Sequence, residues 1–340
     1  MQPARISALE WEAGSESVDD GQMARILGLD EASVAELSHG RSRFMAPDGE
    51  GPAEIAARAS RRLLQRCNLE ADAVDLIIFS TNTPDLVFPG SACLLQAALE
   101  TEETPCLDVR SQCTGFIAAL EIARSYIACG SYARILLVTG EVPSHQNRMD
   151  GTAPELACMT GDSAAVALVE PARASDGQEG RILACRQRVD GARFDEFWCE
   201  MPACRLYRGN DFGDRARVNE EALTMGRVFP RLDRERARET AVNKLPGILD
   251  EAIAESGLTP AGIDALLVAH VDPLVEDELR TALADRAARV VVSDHAYSYS
   301  ASLPAALVRE RAAGQVQAGE TVAMVTAGQG ASWGAAVVRA

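Results

Sequence analysis

Short apolar runs alternate with amphipathic segments along most of the chain. Residues 75–80, 134–139 and 265–269 are apolar runs of strand length, and each is followed by a loop that contains glycine or proline. Helical spacing of apolar residues instead marks three longer segments, at residues 53–69, 114–130 and 236–256. Strands that alternate with helices in this way predict an α/β fold.

The pattern occurs twice. A helix, Asp75, an apolar strand and Pro84 follow one another in the first copy, and a helix, Asp264, an apolar strand and Pro273 follow in the second. Both pairs of equivalent residues are separated by 189 positions. The repeat predicts two halves, 1–175 and 176–340, related by a pseudo-twofold axis.

Loops that correspond under this repeat are expected to meet where the halves join. Thr81, after the strand of the first copy, corresponds to His270 in the second copy. The turn around Cys113 corresponds to the loop at residues 295–299.

Cys113 lies between a predicted strand at residues 105–109 and the helix at 114–130. The first turn of a helix offers unpaired N–H groups and a partial positive charge, which favour a thiolate and lower the pKa of a thiol. Ser111 and Gly115 are small and leave room for a substrate. These features predict a nucleophile; the alternative is a cysteine buried in the core, where free cysteines are common.

His270 ends the apolar strand at 265–269, and α/β proteins place their chemistry at the carboxyl ends of strands. An imidazole there can take a proton from a thiol or donate a hydrogen bond near neutral pH. The alternative is a histidine that only caps the end of the strand.

Composition narrows the class of protein. The chain has 340 residues, of which 47% are hydrophobic, and a net charge of −17, which disfavours nucleic-acid binding. We expect no membrane span, because no apolar run reaches the length that one requires, and the N-terminus lacks a signal-peptide pattern. The nine cysteines are scattered without metal-site spacing, so we expect a cytoplasmic protein with neither a metal nor a redox cofactor.

Two motifs carry a family resemblance. Residues 108–121, followed by Gly-Ser-Tyr-Ala-Arg-Ile-Leu-Leu-Val-Thr-Gly-Glu at 130–141, and the turn Ala-Gly-Gln-Gly-Ala-Ser-Trp-Gly at 327–334 resemble the β-ketoacyl-acyl-carrier-protein synthase III family. The resemblance runs nearly end to end and is weakest at residues 190–220, which we interpret as a connection or insertion that shapes a tunnel. It implies the thiolase-like five-layer αβαβα fold, in agreement with the repeat.

The resemblance also implies roles for individual residues. Cys113 accepts an acyl group from a thioester, with His270 as base, and the backbone N–H groups of Cys113 and Gln329 form the oxyanion hole. Phe88 matches an aromatic residue that crosses a homodimer interface into the partner's acyl pocket, whereas its residue type alone predicts core packing. The implied substrates are acyl-coenzyme A and acyl-carrier protein, both acyl thioesters.

Three departures from the family concern the reaction and substrate delivery. Tyr297 stands at the position of the family's catalytic asparagine, and its own hydroxyl, Ser298 or His295 is a candidate substitute. Losing one preorganised donor costs roughly 3 kcal/mol of transition-state stabilisation. After His270, Asp272 is a candidate for orienting the imidazole. An acidic run at 276–278 replaces basic residues of the family; it is either a solvated helix face or, if it rims the entrance, a surface that repels acidic coenzyme A and acyl-carrier protein. The family's coenzyme A-binding tryptophan and arginine are replaced by Ala32 and by Glu36 or Leu37.

These observations predict a synthase III-like acyltransferase or condensing enzyme of specialised, polyketide or fatty-acid-derived, metabolism. Two alternatives remain: an ordinary decarboxylative β-ketoacyl synthase III of fatty acid synthesis, and a subunit of a heterodimeric ketosynthase-like enzyme.

Overall fold

The computed structural model describes residues 2–200 and 220–340. The strands in this part of the chain are β1 (Ala4–Ala13), β2 (Glu16–Val18), β3 (Arg43–Met45), β4 (Leu76–Ser80), β5 (Cys106–Val109), β6 (Ile135–Glu141), β7 (Ser163–Pro171), β8 (Ile182–Val189), β9 (Phe197–Trp198), β10 (Arg231–Leu232), β11 (Ala265–Ala269), β12 (Arg289–Val292), β13 (Thr321–Gly328) and β14 (Ser332–Arg339). The α-helices are α1 (Asp20–Leu27), α2 (Glu31–Ser38), α3 (Pro52–Arg66), α4 (Ala92–Ala98), α5 (Gly115–Cys129), α6 (Glu155–Met159), α7 (Glu220–Thr224), α8 (Arg234–Glu255), α9 (Pro273–Ala282) and α10 (Ser302–Ala312).

Ten of these strands form two sheets of the same topology. The first sheet has the order β1-β7-β6-β4-β5, and the second has the order β8-β14-β13-β11-β12. In each sheet three strands are parallel, and the other two continue the sheet in antiparallel pairing. The two sheets are copies of one arrangement, as the repeat in the sequence predicts.

The helices and sheets stack in five layers. Helices α5 and α10 contribute buried residues to a central core that both sheets share. Helices α3 and α4 cover the outer face of the first sheet, whereas α8 and α9 cover that of the second. The predicted five-layer αβαβα fold is confirmed.

The repeated aspartates perform the same structural task in both halves. The Asp75 carboxylate accepts hydrogen bonds from the backbone N–H groups of Ala133 and Arg134, and the Asp264 carboxylate accepts one from Thr321. Each aspartate therefore ties the start of its strand to the neighbouring strand. The predicted boundary at 175/176 lies in the connection between β7 and β8; the division into two domains there stays a prediction.

Some short elements escaped the sequence patterns. Strands β2 and β3 pair antiparallel, and each has three residues, which is too short to show an alternation of apolar and polar positions. In the stretch 190–220, a 3₁₀ segment (Gly191–Glu196) leads to β9, which pairs with β10. The tunnel expected there involves residues 201–219, which lie outside the described residues.

Candidate active site

Cys113 lies in a 3₁₀ turn, Gln112–Thr114, that leads directly into the buried helix α5. Gln112 has a positive φ of 50°, and the Thr114 hydroxyl donates to the Ser111 carbonyl oxygen, so the turn is tightly wound. The Cys113 side chain is 1% exposed and faces the junction between the two halves.

The pKa of the Cys113 thiol differs in direction from the sequence expectation. Burial raises it to about 11, and the nearby Tyr297 hydroxyl and Gln329 backbone N–H act against this rise. The prediction of a lowered pKa was wrong, because removing a thiolate from water costs more than the helix terminus recovers.

Gly328 and Gln329 bring the end of β13 against the nucleophile. A Cβ atom added at Gly328 would lie 2.7 Å from the Cβ of Cys113 and closer still to its sulfur, so only glycine fits here. The Gln329 backbone N–H lies near the Cys113 sulfur and acts to lower the pKa of its thiol. This is the position from which the predicted oxyanion-hole donor would act, although that role stays a prediction.

Tyr297 reaches the sulfur with its hydroxyl group. The side chain is 2% exposed, and its hydroxyl also lies 3.1 Å from the Thr326 hydroxyl on β13. Burial raises the pKa of Tyr297 well above its usual range, so the phenol stays protonated and can donate to the Cys113 sulfur. The residue at the family's asparagine position therefore places a hydroxyl group near the nucleophile.

His270 lies at the end of β11, where Ala269 pairs with Thr326 in the sheet. Its Nδ1 accepts a hydrogen bond of 3.0 Å from the backbone N–H of Asp272 and lies 3.4 Å from the Asp272 carbonyl oxygen; the shorter contact favours the neutral ring with its proton on Nε2. Nε2 is buried and has no hydrogen-bond partner within residues 2–200 and 220–340. Burial lowers the pKa of His270 to about 4, so the ring is a neutral donor near pH 7.

Asp272 orients this imidazole through its backbone and not through its carboxylate. The carboxylate instead accepts from Arg234 Nε at 2.7 Å and from the backbone N–H of Leu274 at 3.1 Å, where it caps α9. The prediction that Asp272 holds the ring is thus met by a different group of the same residue.

His295 does not reach Cys113. Its Nδ1 lies 2.9 Å from the Ser42 hydroxyl, and its ring contacts those of Trp11 and Phe44 at centroid distances of 5.5 and 5.7 Å. His295 and Tyr297 are two positions apart but form bridges with different parts of the chain. His295 bridges to Ser42, whereas Tyr297 bridges to Thr160. Ser298, the third candidate, donates its hydroxyl to the Gly161 carbonyl oxygen.

Phe88 lies outside the core. It is 84% exposed, and Leu86 and Val87 beside it are 47% and 68% exposed, so the expectation from residue type was wrong. The backbone N–H of Ser91, just after this apolar tip, donates to the Asp108 carboxylate on the edge strand β5. The acyl-pocket role across a dimer interface stays a prediction.

Two buried carboxylates near the site escaped the sequence reasoning. Glu141, at the end of β6, is fully buried and accepts hydrogen bonds from the hydroxyl groups of Thr83 and Ser300. Glu276 is 2% exposed and accepts from the His270 backbone N–H, so its placement on a solvated acidic face was wrong. Each residue had a signal in the sequence. Glu141 stands in an apolar strand, and Glu276 lies three positions before Leu279 on a helix face that is buried.

The rest of the acidic run is charge-balanced by arginine. Asp277 and Glu278 are more exposed, and their carboxylates pair with Arg280 and Arg238. Within the described ranges, no cluster of three histidine, cysteine, aspartate or glutamate side chains is arranged to hold a metal ion. In the same part of the chain, no helix is both long and apolar enough to cross a bilayer.

Comparison with known proteins agrees with this geometry. Residues 107–191 match the family model of 3-oxoacyl-acyl-carrier-protein (ACP) synthase III, and residues 253–340 match the model of its C-terminal part. Two relatives, the β-ketoacyl-acyl-carrier-protein synthases III of Rhodospirillum centenum and Methylococcus capsulatus, are each 30% identical to this chain. The alignments cover 93% of this chain and 93% of the first relative, and 95% and 94% for the second.

A solved structure supports the same conclusion for the fold. The 3-oxoacyl-(acyl carrier protein) synthase III of Pseudomonas aeruginosa superposes with a TM-score of 0.84 at 22% identity, covering 99% of this chain and 98% of that one. The matched models, the full-length relatives and the shared fold show that this chain belongs to the β-ketoacyl-acyl-carrier-protein synthase III family of acyl-transferring condensing enzymes.

Proposed function

We propose that the chain takes an acyl group from an acyl thioester onto Cys113 and passes it to a second substrate without relying on decarboxylation. The observation that supports this proposal is the position of the Tyr297 hydroxyl, which lies near the Cys113 sulfur and acts to lower the pKa of its thiol. In this family, as the resemblance implies, an asparagine at that position joins the histidine in stabilising the enolate oxygen formed as carbon dioxide leaves.

In the first step, the Cys113 sulfur attacks the carbonyl carbon of the bound thioester, and the bond to the departing sulfur breaks. The thiol proton of Cys113 ends on that departing sulfur, so a free thiol leaves and a new thioester remains. The backbone N–H of Gln329 lies beside the sulfur, where it is available to the developing oxyanion together with that of Cys113. The free Nε2–H of His270 is available to the charge on the departing sulfur.

In the second step, a nucleophile attacks the acyl carbon on Cys113, and the cysteine sulfur leaves with the proton of the nucleophile. His270 serves here as a hydrogen-bond donor, because Asp272 occupies its Nδ1 and the pKa of the ring is low. The base role expected from the sequence would need the opposite tautomer. This assignment supports transfer to an oxygen or nitrogen nucleophile, or to a carbon nucleophile whose enolate does not arise by decarboxylation.

The donor is proposed to be an acyl-coenzyme A or acyl-carrier-protein thioester. The turn and helix after His270 are charge-balanced: Asp272, Glu276 and Glu278 pair with Arg234, Arg41 and Arg238. The repulsion of acidic donors that the acidic run suggested is therefore weakened. Both donor types remain in the proposal, as does a cytoplasmic location.

A homodimer completes the proposal. The exposed apolar tip at Leu86, Val87 and Phe88 lies next to the edge strand β5, whose outer hydrogen-bonding groups face away from the sheet. Such a surface is a usual site of association. We expect light scattering to give twice the chain mass, and a stable monomer would contradict this part of the proposal.

The test is the intact mass of the protein after incubation with a panel of acyl-coenzyme A and acyl-carrier-protein thioesters. We expect a mass gain equal to the acyl group, absent from the Cys113→Ala variant. Carbon dioxide release from malonyl thioester is then measured with the acylated enzyme and with Tyr297→Asn. The proposal expects release to be at least ten times faster in the variant, and equal or faster release by the natural chain would support the second candidate.

That second candidate is an ordinary decarboxylative β-ketoacyl-acyl-carrier-protein synthase III. The observation in its favour is the 30% identity to two proteins of that name over almost the whole chain. It needs a second side-chain donor beside His270. Ser298 and His295 are engaged elsewhere, so among these three candidates the Tyr297 hydroxyl is the one left for that role.

A further inference from the structure

Glu276 is a buried carboxylate next to the active site. It lies in the first turn of α9, and its side chain is 3% exposed. The residues around it on the same helix face, Val275 and Leu279, belong to the apolar core of the second half. A carboxylate is retained in such surroundings only where specific partners compensate for the loss of water.

Both carboxylate oxygens of Glu276 have partners. Oε1 accepts a 2.5 Å hydrogen bond from the backbone N–H of His270, and Oε2 lies 2.5 Å from Arg41 Nη2. Arg41 comes from the connection between α2 and β3, and its side chain is 9% exposed. Glu276 therefore joins the turn that carries His270 to the segment around Arg41, which lies 235 positions earlier in the sequence.

The contacts of His270 define what this arrangement controls. Glu276 holds the backbone N–H of His270, and the backbone N–H of Asp272 holds Nδ1 of the ring at 3.0 Å. Asp272 is in turn held by Arg234 at 2.7 Å. With the backbone and one ring nitrogen both fixed, the direction of the remaining Nε2–H is fixed as well.

The charge of Arg41 also affects the protonation state of His270. The positive charge of Arg41 contributes to lowering the pKa of His270, in addition to burial. The positive charge of Arg41 therefore favours the neutral imidazole, whose Nε2 carries a proton to donate.

We propose that Glu276, paired with Arg41, is a positioning residue that directs the free Nε2–H of His270 toward the bound thioester. This inference rests on the proposed role of His270 in acyl transfer. Glu276 itself does not contact Cys113 or the substrate in this assignment, and it acts only through the histidine.

The test compares the rates at which Cys113 is acylated in Glu276→Leu, Glu276→Gln and the natural chain. Intact mass measures acylation at a series of thioester concentrations. Leucine removes the acceptor for His270 N–H and leaves Arg41 without its partner. We expect the saturating acylation rate to fall about 10- to 100-fold, as displaced catalytic groups do, while the half-saturating concentration changes less than about twofold. Glutamine keeps a carbonyl oxygen for His270 N–H, so its rate should lie between those of leucine and the natural chain.

Glu278→Gln is the matched control, since this residue lies on the same helix, is partly exposed and pairs with Arg238. We expect its acylation rate to equal that of the natural chain. Thermal unfolding of each variant shows whether the protein has folded. If Glu276→Leu does not fold, the comparison rests on Glu276→Gln.

A double variant separates positioning from general stability. If Glu276 acts through His270, then adding Glu276→Leu or Glu276→Gln to His270→Ala causes no further loss of rate. An equal loss with and without His270, or full activity of Glu276→Leu, overturns the inference. If the natural chain is not acylated by any donor, the proposed function itself fails. If the natural chain is acylated and the Glu276 variants have the same rate, only the positioning role fails.

Discussion

Ser300 occupies in the second half the position that Cys113 occupies in the first. Each is the middle residue of a three-residue 3₁₀ turn that leads into a helix of the central layer. The residue before each has a positive φ, 50° at Gln112 and 39° at Tyr299. The duplicated fold thus builds the same turn twice but places a thiol in only one of them.

The space beside these two turns is used differently. Thr139 on β6 pairs with Ser80, and Thr326 on β13 pairs with Ala269, so Thr139 and Thr326 are equivalent positions of the two sheets. Glu141 and Gly328 each lie two residues further along and are therefore equivalent as well. The carboxylate of Glu141 fills the space beside Ser300 and accepts its hydrogen bonds. Glycine at 328 leaves the corresponding space beside Cys113 without a side chain.

Gly328→Ala is expected to abolish acylation of Cys113. The added Cβ would fall 2.7 Å from the Cβ of Cys113, which is closer than real contacts allow, so the sulfur or β13 must shift. We expect the rate of acylation, measured by intact mass, to fall at least 100-fold, because the attacking sulfur is displaced from its hydrogen-bond donors. An acylation rate within threefold of the natural chain, in a folded variant, would contradict this geometry.

Gly247→Ala serves as the control for that variant and carries its own prediction. Gly247 is exposed within α8, and a Cβ there meets nothing within 4 Å. Alanine in an exposed helix interior should stabilise the fold by about 0.5–1 kcal/mol, because the unfolded chain has less freedom to lose. Urea unfolding measures this gain, and acylation should be unchanged.

The raised pKa of Cys113 predicts a steep pH dependence of its reaction with iodoacetamide. Since the pKa is about 11, the thiolate fraction should rise tenfold for each pH unit between 6.5 and 9. Cys129 is exposed and its pKa is lowered by hydrogen bonds from Ser131, so peptide mapping should find it modified first. A Cys113 rate that levels off below pH 9 would mean that the buried thiol ionises more easily than this structure indicates.

Tyr297→Phe should slow that same reaction further. The variant removes the hydroxyl that donates to the Cys113 sulfur and keeps the ring, so the pKa of the thiol rises. The loss of one hydrogen bond to a charged group, about 1.5–3 kcal/mol, corresponds to roughly a 10- to 100-fold lower rate at pH 8. Cys129 in the same sample is the internal control, and equal slowing of both cysteines would contradict the assignment.

Glu141→Gln should flatten the pH dependence of stability. Burial raises the pKa of Glu141 from its usual 4.5 to about 7, so the folded state favours the protonated carboxyl group. The stabilisation is full below pH 4.5 and is lost as pH rises through 7, for a total of roughly 3 kcal/mol. We expect the difference in the free energy of unfolding between pH 5.5 and pH 8 to be smaller in the variant by part of that amount.

Urea unfolding at the two pH values measures this difference. The comparison uses only the change with pH, so any constant cost of placing an amide beside Thr83 and Ser300 cancels. An identical change with pH in both proteins would show that Glu141 keeps one protonation state over this range.

Local patterns were sufficient for the architecture and for two of the site residues. The buried strands β4, β6 and β11 are continuous apolar runs, and the repeat of Asp75 at Asp264 marks the start of equivalent strands. Cys113 and His270 were found because each follows such a strand at the point where the chain turns. These features depend on neighbours within about ten residues, which a sequence displays directly.

The properties of those residues depend on more distant groups. The low pKa of His270 comes from burial, and the raised pKa of Cys113 comes from burial that is partly offset by the hydroxyl of a tyrosine 184 positions later. The choice of Tyr297 over His295 depends on the residue with which each forms a bridge, Thr160 for Tyr297 and Ser42 for His295. Phe88, expected in a core, lies on the surface because no part of the described chain covers it.

The sequence by itself determined the α/β class, the duplicated halves and the two turns that carry Cys113 and His270, because periodicity and turn residues are local signals. Only the tertiary structure decided that the Tyr297 hydroxyl lies near the Cys113 sulfur, that Glu276 is buried beside His270, and which ring nitrogen of His270 has no partner within the described residues. The physical reason is that burial, hydrogen bonding and pKa depend on side chains that the fold brings together from both halves of the chain.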